Sequence, residues 1–134
     1  MPLQRIAITA AALACCALPG IAAHASDDVS VTSLLTRPLP ELPGKEVLMI
    51  TVTFAPGAAD PVHRHDAHGF IYVLEGSIVM QVKGGKEVTL KSGETFYEGP
   101  NDVHVVGRNA SSTQPAKFLV LLVKKQGAPV LTVE

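Results

Sequence analysis

Past residue 16 the sequence contains no cysteine. Cys15 and Cys16 are the only two, so no disulfide can staple the rest of the chain. Nor is there an excess of positive charge, the formal net charge being −1 over 134 residues. Without a basic stripe to track phosphates, nucleic acid is excluded as an expected partner. Beyond the first 25 residues no window of eleven or more shows a helical period, no segment repeats, and nothing marks a second domain. The one long apolar run, Ile6 to Leu18, falls short of the roughly 20 residues that span a bilayer.

That run has the parts of a secretory leader. Arg5 supplies the positive start, Pro19-Gly20 breaks the apolar segment, and Ala23-His24-Ala25 presents small residues where a signal peptidase inspects them. Cleavage is expected between Ala25 and Ser26, giving a periplasmic or secreted protein with no membrane association afterwards. A lipid-anchored alternative, in which Leu13-Ala14 precedes Cys15 and Cys16, would leave a very short apolar stretch. Removing residues 1–25 from the 134 leaves 109, enough for one soluble domain with a single modest core. Loss of Arg5 reduces the eleven basic residues to ten against twelve acidic ones, a formal charge of −2.

Residues 26–45 read as an extended arm. Pro38, Pro40 and Pro43 exclude a helix there, and the arm is expected to lie outside the body, along it or along a partner. From residue 46 to 134, short β-branched runs alternate with Gly and Pro, the pattern of a sandwich or barrel. Strands are expected at Val47–Phe54, Phe70–Leu74, Ser77–Val82, Glu87–Leu90, Glu94–Tyr97, Val103–Val106 and Lys117–Val123. The last is apolar on both faces and so central. Glu75-Gly76 signals a two-residue hairpin joining the second and third of these. Gly57, Gly76 and Gly93 read as turn glycines, and Arg64, Lys124 and Lys125 as solvated.

Histidine is where chemistry concentrates. Three histidines fall in His63-Arg64-His65-Asp66-Ala67-His68, and a fourth is His104. In extended backbone, side chains two apart share a face, so one strand offers His63 and His65 to one metal ion. Two solvated histidines in a polar loop are the plain alternative.

These residues resemble the two motifs of the cupin superfamily. The first runs Gly, five residues, His-x-His, three or four residues, Glu, six residues, Gly, and Gly57, His63, His65 and Gly76 stand at that spacing. The second runs Gly, five residues, Pro-x-Gly, two residues, His, three residues, Asn. Gly93 and His104 fit it, while Pro100, Asn101 and Asn109 fit loosely. The resemblance covers roughly Lys45 to Val123. It implies an all-β, antiparallel jelly-roll barrel of about eight strands, with a metal held by His63, His65 and His104 near its middle.

One motif position departs. The family's Glu ligand falls at Gly69, which has no side chain. His68, a further candidate ligand, has the wrong parity: with His63 and His65 inward, Gly69, Ile71 and Val73 face inward while His68, Phe70 and Tyr72 face outward. Counting back through the hairpin pairs Ile71 with Met80 and Gly69 with Val82, which turns Gln81 away as well. A three-histidine site remains, suited to Fe(II), Mn, Ni, Zn or Cu and walled by Met80, Val82, Ile71 and Val73. Tyr97, Glu98 and Asp102 are expected at the surface or at strand ends, with roles as bases or supporting partners as the alternative.

Three functions stay open for an exported metal-binding protein. Resemblance to three-histidine cupin dioxygenases favours oxygen chemistry on a small organic substrate. A non-catalytic module that binds or senses a small molecule or metal is the second. The third is an isomerase or lyase for a sugar or keto acid. A homodimer is expected, with the arm or the outward Phe70, Tyr72 and Leu74 covering a neighbour's sheet.

Overall fold

A computed structural model describes residues 28–134; the leader and its cleavage point lie outside the described residues. Among these residues the chain forms ten strands and no helix. They are β1 (Val29–Pro38), β2 (Lys45–Phe54), β3 (His63–Arg64), β4 (Ala67–Glu75), β5 (Ser77–Val82), β6 (Val88–Lys91), β7 (Thr95–Glu98), β8 (His104–Asn109), β9 (Ala116–Lys125) and β10 (Thr132–Val133). They build two five-stranded antiparallel sheets, ordered β1-β2-β9-β4-β7 and β10-β3-β8-β5-β6. This is the expected all-β jelly roll.

Its core follows from period-two alternation. Along β2 the inward row is Glu46, Leu48, Ile50, Val52 and Phe54, and along β9 it is Ala116, Phe118, Val120, Leu122 and Lys124, all buried. The two strands pair so that Leu48 faces Leu122, Ile50 faces Val120 and Val52 faces Phe118. Phe54 and Phe118 meet edge to face with centroids 5.1 Å apart. Strand β9 is central in its sheet, as its two apolar faces suggest. Ile78, Met80 and Leu90 close the core from the second sheet.

Three expectations are corrected. The arm is extended but is not outside the barrel: Val29–Pro38 pairs with β2 as the edge strand of the first sheet, which satisfies backbone groups that a free arm would leave to water. Strands β4 and β5 are not a hairpin pair, because β4 hydrogen-bonds to β7 and β9 while β5 bonds to β6 and β8. The Glu75-Gly76 turn carries the chain from one sheet to the other. Gly76 is required there twice over, by φ of 71° and by a Pro115 carbonyl oxygen 2.6 Å from where a β-carbon would sit. Lys124 is not solvated: it is buried at the end of the inward row, its Nζ donating to Glu46 Oε1 at 2.6 Å.

The candidate metal centre

The chain crosses between sheets at the histidine motif. His63 lies on β3, directly opposite His104 at the start of β8. His65 follows β3, and Asp66 then takes φ of 46°, a left-handed conformation that Asp tolerates better than most residues. This kink delivers β4 to the first sheet with the expected parity: Ala67, Gly69, Ile71 and Val73 are inward, while His68, Phe70 and Tyr72 are exposed or nearly so. Donor atoms of His63, His65 and His104 all lie within 4.8 Å of one another.

Hydrogen bonds fix two of the three tautomers. His63 Nδ1 donates to the Pro61 carbonyl and His65 Nδ1 to the Val130 carbonyl, each at 2.7 Å. A carbonyl can only accept, so both protons sit on Nδ1. In the neutral rings both Nε2 atoms then carry lone pairs, and these stand 3.2 Å apart. Two lone pairs at that distance repel unless a cation, a proton or a metal ion, lies with them. His104 is buried, and among the described residues neither of its ring nitrogens makes a well-formed hydrogen bond, only a weak approach to the Val106 backbone and to Glu98. A protein interior normally pairs such atoms.

Glu98 completes the cluster. It ends β7 opposite Gly69 and is only 3% exposed. Its Oε1 lies 3.1 Å from His65 Nε2 and its Oε2 3.4 Å from His104 Nδ1. Burial works against the charged form of His65, but the Glu98 carboxylate outweighs it and the ring holds a proton above its usual range. Burial likewise opposes the Glu98 charge, and His65, followed by His104 and His63, reverses this and keeps the carboxyl below its usual range. Burial pushes His104 the other way, below the ordinary histidine value. Three imidazoles and a carboxylate are a donor set that first-row divalent ions accept, so the residues fit the metal implied by the motifs.

The centre opens onto a cavity of about 60 Å³, room for a few waters or a small functional group. Ile71 and Met80 line it as expected, whereas Val73 and Val82 do not; Ile50, Val52, Phe118 and Val120 are among the other apolar walls, with valines of β1 at its rim. Asp60 also lines it, its carboxyl pushed above the usual range by burial, which the nearby His63 and His65 only partly offset.

The remaining candidates lie elsewhere. His68 is on the outer face, its Nδ1 2.8 Å from the Tyr97 hydroxyl, and Gln81 donates to the Gly85 carbonyl. Tyr97 is exposed. Asp102 accepts the Gly99 amide at 2.6 Å and closes a turn. Glu98 does end a strand, but it is not at the surface. The signal for it was Gly69: a glycine at an inward strand position leaves room for a partner's side chain. Asp60, in the spacer between Gly57 and His63, left no comparable signal. Asn109, the loosely matched Asn of the second motif, is a clasp: its amide donates to the carbonyls of Ala55 and Gln114 at 3.0 and 2.8 Å, and its oxygen accepts the Ser111 amide at 2.9 Å.

Two antiparallel sheets closed around a histidine-rich cluster define a jelly roll with a divalent-metal donor set. The chain belongs to the cupin family, whose cupin domain model matches residues 50–122. Over 62 residues it is 37% identical to the pectin degradation protein KdgF of Dickeya dadantii (strain 3937), a match covering 46% of this chain and 56% of that protein. The DMSP lyase DddQ from Ruegeria pomeroyi DSS-3 superposes with a TM-score of 0.67 at 18% identity, over 85% of this chain and 55% of that one. An oxalate oxidase in complex with the substrate analogue glycolate gives 0.61 at 26% identity, over 81% and 56%. The matches thus cover little more than half the length of each of these three proteins.

Proposed function

We propose that this protein is a divalent-metal cupin acting on a small, chelating organic acid by acid–base chemistry, as a lyase or isomerase does. The observation that carries the metal is the convergence of His63, His65 and His104, whose donor atoms lie within 4.8 Å of one another beside the buried Glu98 carboxylate. An ion held by the three histidines would supply Lewis acidity to a bound carboxylate or carbonyl. Asp60 supports the acid–base reading: a cavity-lining carboxyl whose proton affinity burial raises is suited to take up and return a proton. The apolar walls exclude water, and the small cavity admits one end of a substrate. Pectin fragments are uronic acids, so the likeness to a pectin degradation protein supports a sugar-derived hydroxy or keto acid.

Oxygen chemistry is a second reading, favoured by the dry walls of Ile71, Met80, Phe118 and Val120. Incubating the metal-loaded protein with small uronic, hydroxy and keto acids, with and without O₂, separates the two. Product detected by NMR under argon, and lost on chelation, supports the lyase or isomerase. Turnover that requires O₂ uptake would transfer the assignment to a dioxygenase, and no product in either atmosphere would leave a binding or sensing module.

Export and pairing complete the proposal. The leader predicts a periplasmic or secreted protein beginning at Ser26, which mass spectrometry of the exported chain checks. Phe70, Tyr72 and Tyr97 are exposed together on the outer face of the first sheet and support a homodimer, checked by light scattering across a concentration series.

A further inference from the structure

Gly69 occupies the position where the family motif carries its carboxylate, and the structure shows what takes up the space. The residue lies in a regular stretch of β4, paired with Glu98 on one side and Leu122 on the other. No left-handed backbone requires a glycine there, so the missing side chain has to be explained by space. A β-carbon at position 69 would come within 2.9 Å of Glu98 Cγ and 3.1 Å of its Oε1. The volume of a side chain at 69 is filled by the carboxylate of 98.

The distances among the donors suit one shared ion. Metal–ligand bonds of about 2.1 Å put neighbouring donors about 3.0 Å apart at a right angle and about 3.4 Å apart at the tetrahedral angle. Three of the observed separations fall in that range: 3.2 Å between His63 and His65, 3.1 Å from Glu98 Oε1 to His65 and 3.4 Å from Glu98 Oε2 to His104. The three histidine donors spread over as much as 4.8 Å, more than the roughly 4.2 Å two such bonds can span, so an ion would draw the rings together. Among the described residues the ion pairs of Glu98 are with His65 and His104, two of the proposed ligands.

We propose that Glu98 is the carboxylate ligand of the metal centre, delivered across the β4–β7 pair into the space that Gly69 vacates. This rests on the metal-binding reading above and deepens it. Positions 69 and 98 become two alternative seats for one carboxylate, and only one can be filled at a time. One negative charge among the donors leaves a divalent ion with net positive charge, which favours an anionic substrate end over a neutral one.

Cobalt(II) titration of the metal-stripped protein tests this without reference to activity, reading affinity and the visible ligand-field band together. Glu98→Gln is expected to weaken cobalt binding by roughly 10-fold or more and to change the band. Gly69→Glu, which crowds two carboxylates into one space, is expected to do the same. The double variant Gly69→Glu/Glu98→Gly is expected to recover both readouts, a coupling that independent sites do not show. Should Gly69→Glu fail to fold by circular dichroism, Glu98→Gln decides alone. Unchanged affinity in Glu98→Gln overturns the assignment, and so does weaker binding with an unchanged band, which would place Glu98 outside the coordination sphere. If the unaltered protein takes up no cobalt, the metal reading itself falls, an outcome distinct from failure of Glu98 alone.

Discussion

The barrel buries two charged clusters, and they are built in opposite ways. At one end of the inward row, Lys124 Nζ donates to Glu46 Oε1 and to the Ala128 carbonyl, both at 2.6 Å, and Glu46 Oε1 also accepts the Gly127 amide at 3.2 Å. Every charge there has a partner. In the histidine cluster, the His63 and His65 Nε2 atoms stand 3.2 Å apart and His104 has no well-formed side-chain hydrogen bond. A buried polar group is normally satisfied, and the Lys124 pair shows that this fold can do so. The polypeptide therefore satisfies the histidine cluster less completely than the ion pair, which is consistent with a site that takes up a cation.

The largest expected effect breaks the second cluster. His63→Ala, His65→Ala or His104→Ala should each lower metal affinity by at least about 100-fold, more than the loss of a supporting partner costs. Elemental analysis of purified variants checks this, and near-stoichiometric metal in any of the three would end the assignment. The fold should persist in all three. Lys124→Met should do the reverse, leaving metal content intact while an unpaired buried carboxylate lowers the thermal midpoint by more than about 10 °C. Adding Glu46→Leu to Lys124→Met should recover most of that loss, because removing both charges removes the penalty.

Asn109→Ala comes next. Its amide and carbonyl clasp the segment between β8 and β9 to the end of β2, and leaving those backbone groups unpaired should cost about 2–4 kcal/mol. Denaturant unfolding measures it. A change in metal content without a change in midpoint would show that this motif residue serves the site instead.

The two clusters should also separate by pH. The Lys124 hydrogen bond holds the Glu46 carboxyl below its usual value near 4.5. A depressed carboxyl contributes stability that is present above the unfolded value and lost as pH falls through the folded one, so the ion pair survives at pH 5. Metal ligation is lost earlier, because a ligand imidazole must be neutral. In the metal-free protein His65 and His104 oppose each other. The raised value of His65 contributes stability below the usual 6.5, lost as pH rises through the folded value. The lowered value of His104 contributes above 6.5, lost as pH falls. Between pH 7 and 5 the stabilisation by added metal should therefore vanish, whichever way the metal-free midpoint moves. Calorimetry with and without metal checks this, and parallel losses would erase the distinction.

Much of this was legible before any coordinates. Strand parity placed His63, His65, Gly69 and Ile71 on one face and His68 on the other, because side-chain alternation is local. His104 was found by motif spacing. What local pattern cannot supply is which strand lies beside which. The Gly69–Glu98 contact depends on β4 pairing with β7, and a hairpin count through Glu75-Gly76 put Val82 there instead. Strand β1 was hidden by the prolines at and beyond its end, Pro38, Pro40 and Pro43, although Val29 and Val31 alternate, and β3 and β10 are too short to show a period. Lys124 looked solvated because nothing in a Lys-Lys pair reveals a glutamate 78 residues away across a sheet.

The smallest expected effect is the sharpest test of parity. His68 is one residue from Gly69, yet its ring lies on the outer face beside Tyr97 with centroids 6.2 Å apart. His68→Ala removes one partly solvated hydrogen bond, for a cost within about 1 kcal/mol, and should leave metal content unchanged. Its neighbourhood of Phe70 and Tyr97 is the face proposed for pairing, so any measurable effect should appear in light scattering and not in metal analysis. The result is decisive because the two outcomes belong to opposite sides of one strand. If His68→Ala empties the site, β4 must turn over before Gly69, and the inward assignment of Gly69, on which the role of Glu98 rests, falls with it.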